Sequence, residues 1–171
     1  MNTIKPIIYR EIKDLRETEF FSEKFYNFAE SKIPKNIKDD ILNIKFNELD
    51  TSNNKSLNST LRNELRNRGW KKGENIGDFK NYLPDFMKEH IALEAQFRQD
   101  TNILYNILGL QHAFDNGKII AGIIITYDAI EHIAIHGMNA SIQILDIFLK
   151  EFEKQINFTI PLWAIGVKDH N

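Results

Sequence analysis

Two carboxylates and one amide lie close together in the stretch PDFMKEHIALEAQF, residues 84–97. Glu94 comes nine residues after Asp85, and Gln96 comes two residues after Glu94. Residues two apart on a strand point to the same face, so Glu94 and Gln96 would project together from an extended segment. An Asp at the end of a preceding strand or turn can meet them. Two converging carboxylates form a hard oxygen site that suits Mg²⁺, which can activate a water for attack on a phosphoryl group.

The same residues also fit a surface strand with a polar outer face, since an Asp and a Glu at this spacing occur by chance in most proteins. Their surroundings favour a site. HIALEAQF, residues 90–97, alternates apolar and other residues and predicts a half-buried strand. Glu94 and Gln96 lie between apolar residues of that strand, and a predicted helix and a long β-branched strand follow.

The elements that must position these residues are helices first, then strands that alternate with helices. The first part is predicted as a helix over 9–33 that ends before Pro34, a helix or strand over 37–48, a polar loop from Asp50 to Ser59, and a helix over 59–69 that begins at Asn58 or Ser59 and ends at Gly69. The second part is predicted as a short strand over 81–83, strands over 90–97, 118–127 and 160–167, and helices over 100–116 and 139–156. Strands separated by helices predict an α/β sheet with parallel members.

Composition and charge limit the classes of protein. The chain has 171 residues, which suits one domain, and it has no cysteine, which excludes disulfides and thiolate zinc sites. The N-terminus has no apolar run of signal-peptide length, and the longest apolar run, Ile119–Ile125, is too short to cross a membrane, so we expect a cytoplasmic protein. The net charge of −2 does not indicate nucleic-acid binding. A local cluster of basic residues could neutralise phosphates, although charge alone favours a solvated helix face: Arg62, Arg66, Arg68, Lys71 and Lys72.

Two other residue sets have competing interpretations. Glu64 lies among the arginines of the predicted helix, where an ion pair with them is the simpler interpretation and an auxiliary acid of an active site is the alternative. His132 and His136 could chelate a transition metal, but a zinc site needs three or four ligands and no further His or Cys lies nearby in the sequence. Loop packing or a phosphate contact fits this histidine pair better.

Pro84-Asp85 followed by Glu94-Ala95-Gln96 resembles the PD-(D/E)xK nuclease signature in its E-x-Q variant, which the BglII-like type II restriction endonucleases carry. LEAQF is similar to the central active-site strand of that family, IIIT to the next core strand, and Asn58–Trp70 to the preceding helix. The resemblance implies a restriction-endonuclease-like core with a mixed central β-sheet flanked by helices. It implies one endonuclease domain over 1–171, with an N-terminal helical part over 1–50 and a nuclease core over 56–167.

The resemblance also implies roles for individual residues. Asp85 and Glu94 would be Mg²⁺ ligands, the Ala95 carbonyl would be a third, and Gln96 would hold the attacking water. Unlike Lys, Gln supplies no positive charge, so more of the catalysis would depend on the metal. Base readout is expected from the openings of two helices, where capping is the competing interpretation for Asp100, Asn102, Asn139 and Ser141. The expected DNA contacts are Asn58, Arg62, Arg66, Lys71, Lys72, Arg98, Gln99, Asn102, Asn139 and Ser141.

We therefore predict a Mg²⁺-dependent type II restriction endonuclease. It would cut duplex DNA at a short palindrome as a homodimer, and a companion methyltransferase would protect the host. The apolar helix over 101–116 is the candidate for a buried or dimer-facing element. One alternative is a repair, phage or mobile-element nuclease of the same fold. The other is a non-catalytic DNA-binding module with a decayed site, against which the joint presence of Asp85, Glu94 and Gln96 argues.

Overall fold

Seven strands form one mixed β-sheet in the part of the chain that the computed structural model describes, residues 13–17, 21–48, 54–76, 82–98, 100–128, 140–152 and 157–168. The strands are β1 (Lys13–Glu17), β2 (Phe21–Tyr26), β3 (Lys71–Lys72), β4 (Phe86–Lys88), β5 (Ile91–Ala95), β6 (Ala121–Tyr127) and β7 (Leu162–Val167). The helices are α1 (Ala29–Lys32), α2 (Lys35–Leu42), α3 (Asn54–Asn67), α4 (Asp100–Asp115) and α5 (Ile142–Phe152), with a 3₁₀ turn at Phe46–Glu48.

The strand order is β1-β2-β7-β6-β5-β4-β3. The three central strands β5, β6 and β7 run parallel, because α4 and α5 cross over between them. The outer pairs are antiparallel on both sides of this centre. The prediction of a mixed sheet flanked by helices is therefore confirmed.

Apolar side chains cover both faces of the sheet. One core cluster joins the sheet to α2 and α3, and α3 supplies Leu57, Leu61 and Leu65 at a spacing of four residues. The other cluster joins the opposite face to α4 and α5, for example through Ile107 and Leu145. β5 is consequently buried on both faces rather than on one, which corrects the expectation of a half-buried strand.

The helix predicted over residues 9–33 is wrong for most of its described part. This segment forms the antiparallel strands β1 and β2, and β2 pairs with β7 from Phe21↔Val167 to Tyr26↔Leu162. Its Glu and Lys residues favour helix, but the ring of Phe25 stacks on Trp163 at 5.1 Å. Pairing with a buried central strand outweighs a helix propensity of a few tenths of a kcal/mol per residue. Hence the N-terminal part contributes strands to the same sheet as the nuclease core.

Two boundaries on the amino-terminal side of β5 also differ from the predictions. The helix expected from Ser59 begins at Asn54, so the predicted polar loop is partly helical and Asn58 lies inside α3. The strand expected over 81–83 is absent from its described residues, and the strand β4 begins after Pro84 instead. The prediction that Gly69 and Gly117 end helices is confirmed, because both adopt the left-handed conformation, with φ of 80° and 66°.

The other predictions for the carboxy-terminal half agree with the structure. α4, β6, α5 and β7 all lie inside the ranges predicted for them. None of the described helices is both long enough and apolar enough to cross a bilayer.

Candidate active site

A tight hairpin explains why nine residues separate Asp85 from Glu94. β4 and β5 pair antiparallel with Phe86↔Leu93, Met87↔Ala92 and Lys88↔Ile91. The two residues between the strands, Glu89 and His90, have positive φ of 49° and 61°, as a two-residue type I′ turn requires. One further step in this register places Asp85 opposite Glu94. The Asp85 carboxylate also accepts a hydrogen bond from the backbone N–H of Ala95, at 2.9 Å from Oδ2.

The two carboxylates differ in exposure. Asp85 is exposed, whereas the Glu94 side chain points to the α4 side of the sheet and only 4% of its surface is accessible. Burial raises the pKa of Glu94 well above its ordinary value, and the nearby negative charge of Asp85 raises it further. Among the residues that the structure describes, no lysine or arginine forms an ion pair with either carboxylate. A cation at this place would offset both the desolvation cost of the buried Glu94 carboxylate and its repulsion from Asp85.

Tyr82 is a site residue that the sequence analysis missed. Its hydroxyl donates a hydrogen bond to Oε1 of Glu94, and this bond acts against burial by lowering the pKa of the carboxyl. The Tyr82 ring lies directly on the backbone of α4 at Gly109, where the Cβ of any larger residue would lie 2.4 Å from the ring. The signal in the sequence was that glycine, because a glycine inside a helix costs about 1 kcal/mol relative to alanine and needs a packing reason.

Gln96 follows β5 and extends its ladder by one bond, in which its backbone N–H donates to the Ile125 carbonyl at 2.9 Å. The side chain is half-buried, and the alternation of the strand directs it to the Glu94 side of the sheet. Ala95 lies between the two, packed at the edge of the α3-side core. The common strand face that the sequence predicted for Glu94 and Gln96 is therefore compatible with the structure.

Asp85 lies between two neighbouring clefts under α3. The larger cleft has a volume of about 500 Å³ and is lined by Lys55, Asn58, Ser59, Leu61, Arg62, Asp85, Phe86, Ala95 and Arg98. The smaller has a volume of about 280 Å³ and is lined by Arg62, Arg66, Lys72, Leu83, Pro84, Asp85 and Phe86. Positive side chains thus line the space that leads to Asp85 from both sides. A polyanion in these clefts would meet the basic residues and a carboxylate at once.

The predicted basic cluster divides in the structure. Arg62, Arg66 and Lys72 line the clefts, whereas Lys71 is exposed and lines neither of them. Arg68 points elsewhere: it forms an ion pair with Glu64 at 2.6 Å and donates to the Asn43 carbonyl. The simpler interpretation of Glu64, as a partner of an arginine, therefore agrees with the structure.

The residues expected to read bases have mixed positions. Arg98 is exposed at the wall of the larger cleft, and Asn102 is exposed in the first turn of α4. Ser141 is fully buried, and its Oγ accepts a hydrogen bond from the Ile144 N–H at 3.3 Å. The structure thus gives Ser141 the capping role, and in this conformation its hydroxyl is not available to a base edge. Gln99, Asn139, His132 and His136 lie outside the described residues.

The donor set fits a single hard cation held partly by other ligands. The described residues contain no group of three or more His, Cys, Asp or Glu side chains around one point, so the carboxylates of Asp85 and Glu94 stand as a pair. Mg²⁺ is commonly held by one or two carboxylates, with waters and substrate phosphates in its other positions. Asp85 borders the basic clefts, so an ion held by the carboxylate pair could also meet a phosphodiester in them.

Known proteins share this architecture. The family model of the restriction endonuclease BglII/BglIII matches residues 20–167. BglII in complex with a DNA 16-mer superposes with a TM-score of 0.72 at 18% sequence identity, over 87% of this chain and 76% of that one. Free BglII superposes with a TM-score of 0.62 at 17% identity, over 87% of this chain and 79% of that one. No curated protein matches the chain.

The mixed sheet with a carboxylate-bearing hairpin beside its parallel centre has the restriction-endonuclease fold. The family match covers most of the chain, and this protein belongs to the BglII/BglIII restriction endonuclease family. It is accordingly a type II restriction endonuclease, a site-specific DNA endonuclease. The resemblance seen in the E-x-Q motif and the predicted enzyme class are both confirmed.

Proposed function

We propose that this enzyme hydrolyses phosphodiester bonds at a short palindromic sequence in double-stranded DNA, that it requires Mg²⁺, and that Asp85, Glu94 and Gln96 are its catalytic residues. The single observation that carries the proposal is the hairpin register, which brings Glu94 opposite Asp85, the carboxylate that borders the basic clefts. One domain over residues 1–171 would hold the whole site.

Asp85 and Glu94 would bind the metal through their carboxylates, with the Ala95 backbone carbonyl as a third ligand. A bound Mg²⁺ would supply Lewis acidity toward a phosphoryl oxygen and lower the pKa of a water. The amide of Gln96 would position that water, since it can both accept and donate a hydrogen bond but carries no charge. Cleavage would leave 5′-phosphate and 3′-hydroxyl ends.

DNA would be held by the cleft residues on either side of Asp85. Arg62, Arg66 and Lys72 line the clefts and would contact phosphates, together with Asn58 of α3. Arg98 and Asn102 are the described candidates for base contacts, and Gln99 and Asn139 are proposed from the sequence alone. Lys71 would contact a phosphate from outside the two clefts.

The enzyme would act as a homodimer, because a palindromic site has the two-fold symmetry of such a dimer. Its cellular partner would be a DNA methyltransferase that modifies the same site, and the cytoplasm is the compartment where both meet chromosomal DNA. BglII itself is known in complex with DNA.

Digestion of a fully sequenced plasmid with and without Mg²⁺ tests the proposal, when the ends of the fragments are sequenced. We expect discrete fragments whose ends share one short palindrome and appear only with the metal. Asp85→Ala and Glu94→Ala should abolish cutting while duplex binding persists, and Glu74→Ala, which removes an exposed carboxylate outside both cleft linings, should cut normally. Random ends would indicate a nuclease without site specificity, and full activity of either active-site variant would remove that residue from the site.

A further inference from the structure

We propose that Tyr82 is a positioning residue for the metal site: its buried hydroxyl holds one oxygen of Glu94 and so fixes the orientation in which that carboxylate meets the cation. The inference rests on the proposed function, since it takes Glu94 to be a metal ligand. Tyr82 itself would touch neither metal nor DNA.

The first observation is the bond itself. The Tyr82 hydroxyl donates to Oε1 of Glu94, and both side chains are buried, with 2% and 4% of their surfaces exposed. A glutamate side chain has three rotatable bonds, so a carboxylate at the end of a strand needs an outer partner to keep one orientation. With Oε1 held by Tyr82, the carboxylate would meet a cation through Oε2, which favours binding through one oxygen.

The second observation is that the surrounding structure fixes Tyr82 in turn. Its ring lies on Gly109 of α4, where any side chain would collide with it, and it meets the Tyr105 ring edge-on at 6.0 Å. A chain of contacts therefore runs from the helix backbone through the Tyr82 ring to Glu94. Hydrogen bonds of this outer kind orient metal ligands, and removing them commonly lowers metal affinity or activity by about 10–100-fold.

A structural role alone does not account for the hydroxyl. A phenylalanine could make the same ring contacts with Gly109 and Tyr105. The hydroxyl of Tyr82 donates its hydrogen bond to Glu94. Donation to a buried carboxylate also stabilises its charged form, which is the form that binds a cation. The hydrogen bond from Tyr82 to Glu94 therefore suits a role in metal binding, whereas the Tyr82 ring alone accounts for the packing.

Tyr82→Phe tests the role directly, with Mn²⁺ as the probe in a calorimetric titration of the DNA-bound protein and with Mg²⁺ in single-turnover cleavage. We expect Mn²⁺ affinity to fall about tenfold or more and the Mg²⁺ concentration for half-maximal rate to rise by the same factor. The rate at saturating Mg²⁺ should fall much less. Gly109→Ala should weaken metal binding in wild type and add little in the Tyr82→Phe background, because the bond it would disturb is already lost.

Tyr26→Phe is the matched control. Tyr26 is also buried and donates its hydroxyl to a carboxylate, Asp146, but it pairs with Leu162 at the far end of the parallel strands. It should lower stability and leave metal affinity unchanged. Wild-type Mn²⁺ affinity in Tyr82→Phe, or an equal loss in Tyr26→Phe, would overturn the inference. Glu94→Ala separates the two proposals: if it retains metal binding, the assigned ligand is wrong and the proposed function fails, whereas if it alone loses binding, only the role of Tyr82 fails.

Discussion

Replacing Glu94 by Gln should stabilise the metal-free protein, although on the proposed function it should abolish cleavage. The wild-type carboxylate is buried, lies beside Asp85, and has no cation among the described residues to balance it. Gln has the same shape and keeps an oxygen that can accept the Tyr82 hydroxyl. Its NH₂ group can donate to Asp85, where the wild type places two negative charges. The substitution therefore removes repulsion and desolvation without removing packing.

The size of the gain follows from two opposing contributions. Burying a charged carboxylate costs several kcal/mol in a real protein, and a hydrogen bond to a charged group returns about 1.5–3 kcal/mol. Replacing the charged Glu94 carboxylate by a neutral amide should therefore raise the free energy of unfolding by about 2 kcal/mol. For a chain of 150–250 residues about 1 kcal/mol moves the Tm by roughly 2–4 °C, so the Tm should rise by about 4–8 °C at pH 8 without metal.

The pH dependence has a definite sign. The pKa of Glu94 in the folded protein is raised above its ordinary value of 4.5, so its contribution to stability is fully present below that value. It is lost as the pH rises through the folded-state pKa. The Tm of Glu94→Gln should therefore match wild type below pH 4.5 and exceed it increasingly above, until the wild-type residue is fully ionised.

Scanning calorimetry of both proteins from pH 4 to pH 9, with EDTA and with Mg²⁺, provides the measurement. Mg²⁺ should raise the Tm of wild type and leave that of Glu94→Gln unchanged, because a ligand stabilises only the state that binds it. Glu74→Gln, which changes an exposed carboxylate, should stay within about 0.5 kcal/mol of wild type throughout. A metal-free Glu94→Gln less stable than wild type at pH 8 would refute the reasoning.

Three further changes have expected outcomes. The double variant Arg66→Ala with Lys72→Ala should bind all duplexes more weakly and reduce the salt dependence of binding by about two units of slope, measured by fluorescence anisotropy across a salt series. Lys71→Ala should change this slope less. An altered site preference at an unchanged slope would instead indicate that these residues read bases. Gln96→Ala should slow single-turnover cleavage by about a hundredfold with little change in DNA affinity. Gln96→Lys should raise the Mg²⁺ concentration that cleavage requires. Wild-type rates in Gln96→Ala at every Mg²⁺ concentration would exclude a catalytic role for Gln96. Gly73→Ala should lower the Tm and cleavage together, because its Cβ would lie 1.9 Å from the Pro84 carbonyl oxygen; an unchanged Tm would mean that this loop can shift freely.

The sequence was sufficient for the parts of the fold whose patterns are local. The β-branched run of β6, the glycine-ended helix α4 and the existence of strand β5, though not its burial on both faces, each follow from one segment's own periodicity. The motif Pro84-Asp85 with Glu94 was also sufficient to name the family that the comparisons show. Local periodicity and a short motif carry these conclusions without any long-range contact.

The sequence was insufficient where a distant partner decides the structure. β2 contains good helix formers, yet its pairing with β7, more than 130 residues away, makes it a strand. Tyr82 was missed for the same reason: nothing within its own segment shows that Glu94 accepts its hydroxyl or that Gly109 makes room for its ring. The division of the basic cluster, with Arg68 drawn to Glu64, likewise depends on the direction in which each side chain leaves α3.

On the proposed function, the arrangement of charge in this site would allow Gln96 to stand where related motifs have lysine. Asp85 borders both clefts and Arg62 lines them with it, but no ion pair joins Asp85 or Glu94 to a cation in the described part of the chain. Were Arg62 paired with Asp85, the carboxylates would already be neutralised and their attraction for Mg²⁺ would be weaker. Because they are not paired, on the proposed function Arg62 would be available to phosphates and the two carboxylates to the metal. On the proposed function, an uncharged glutamine would not compete with the metal for that charge, and a bound cation would offset the desolvation of the buried Glu94 carboxylate.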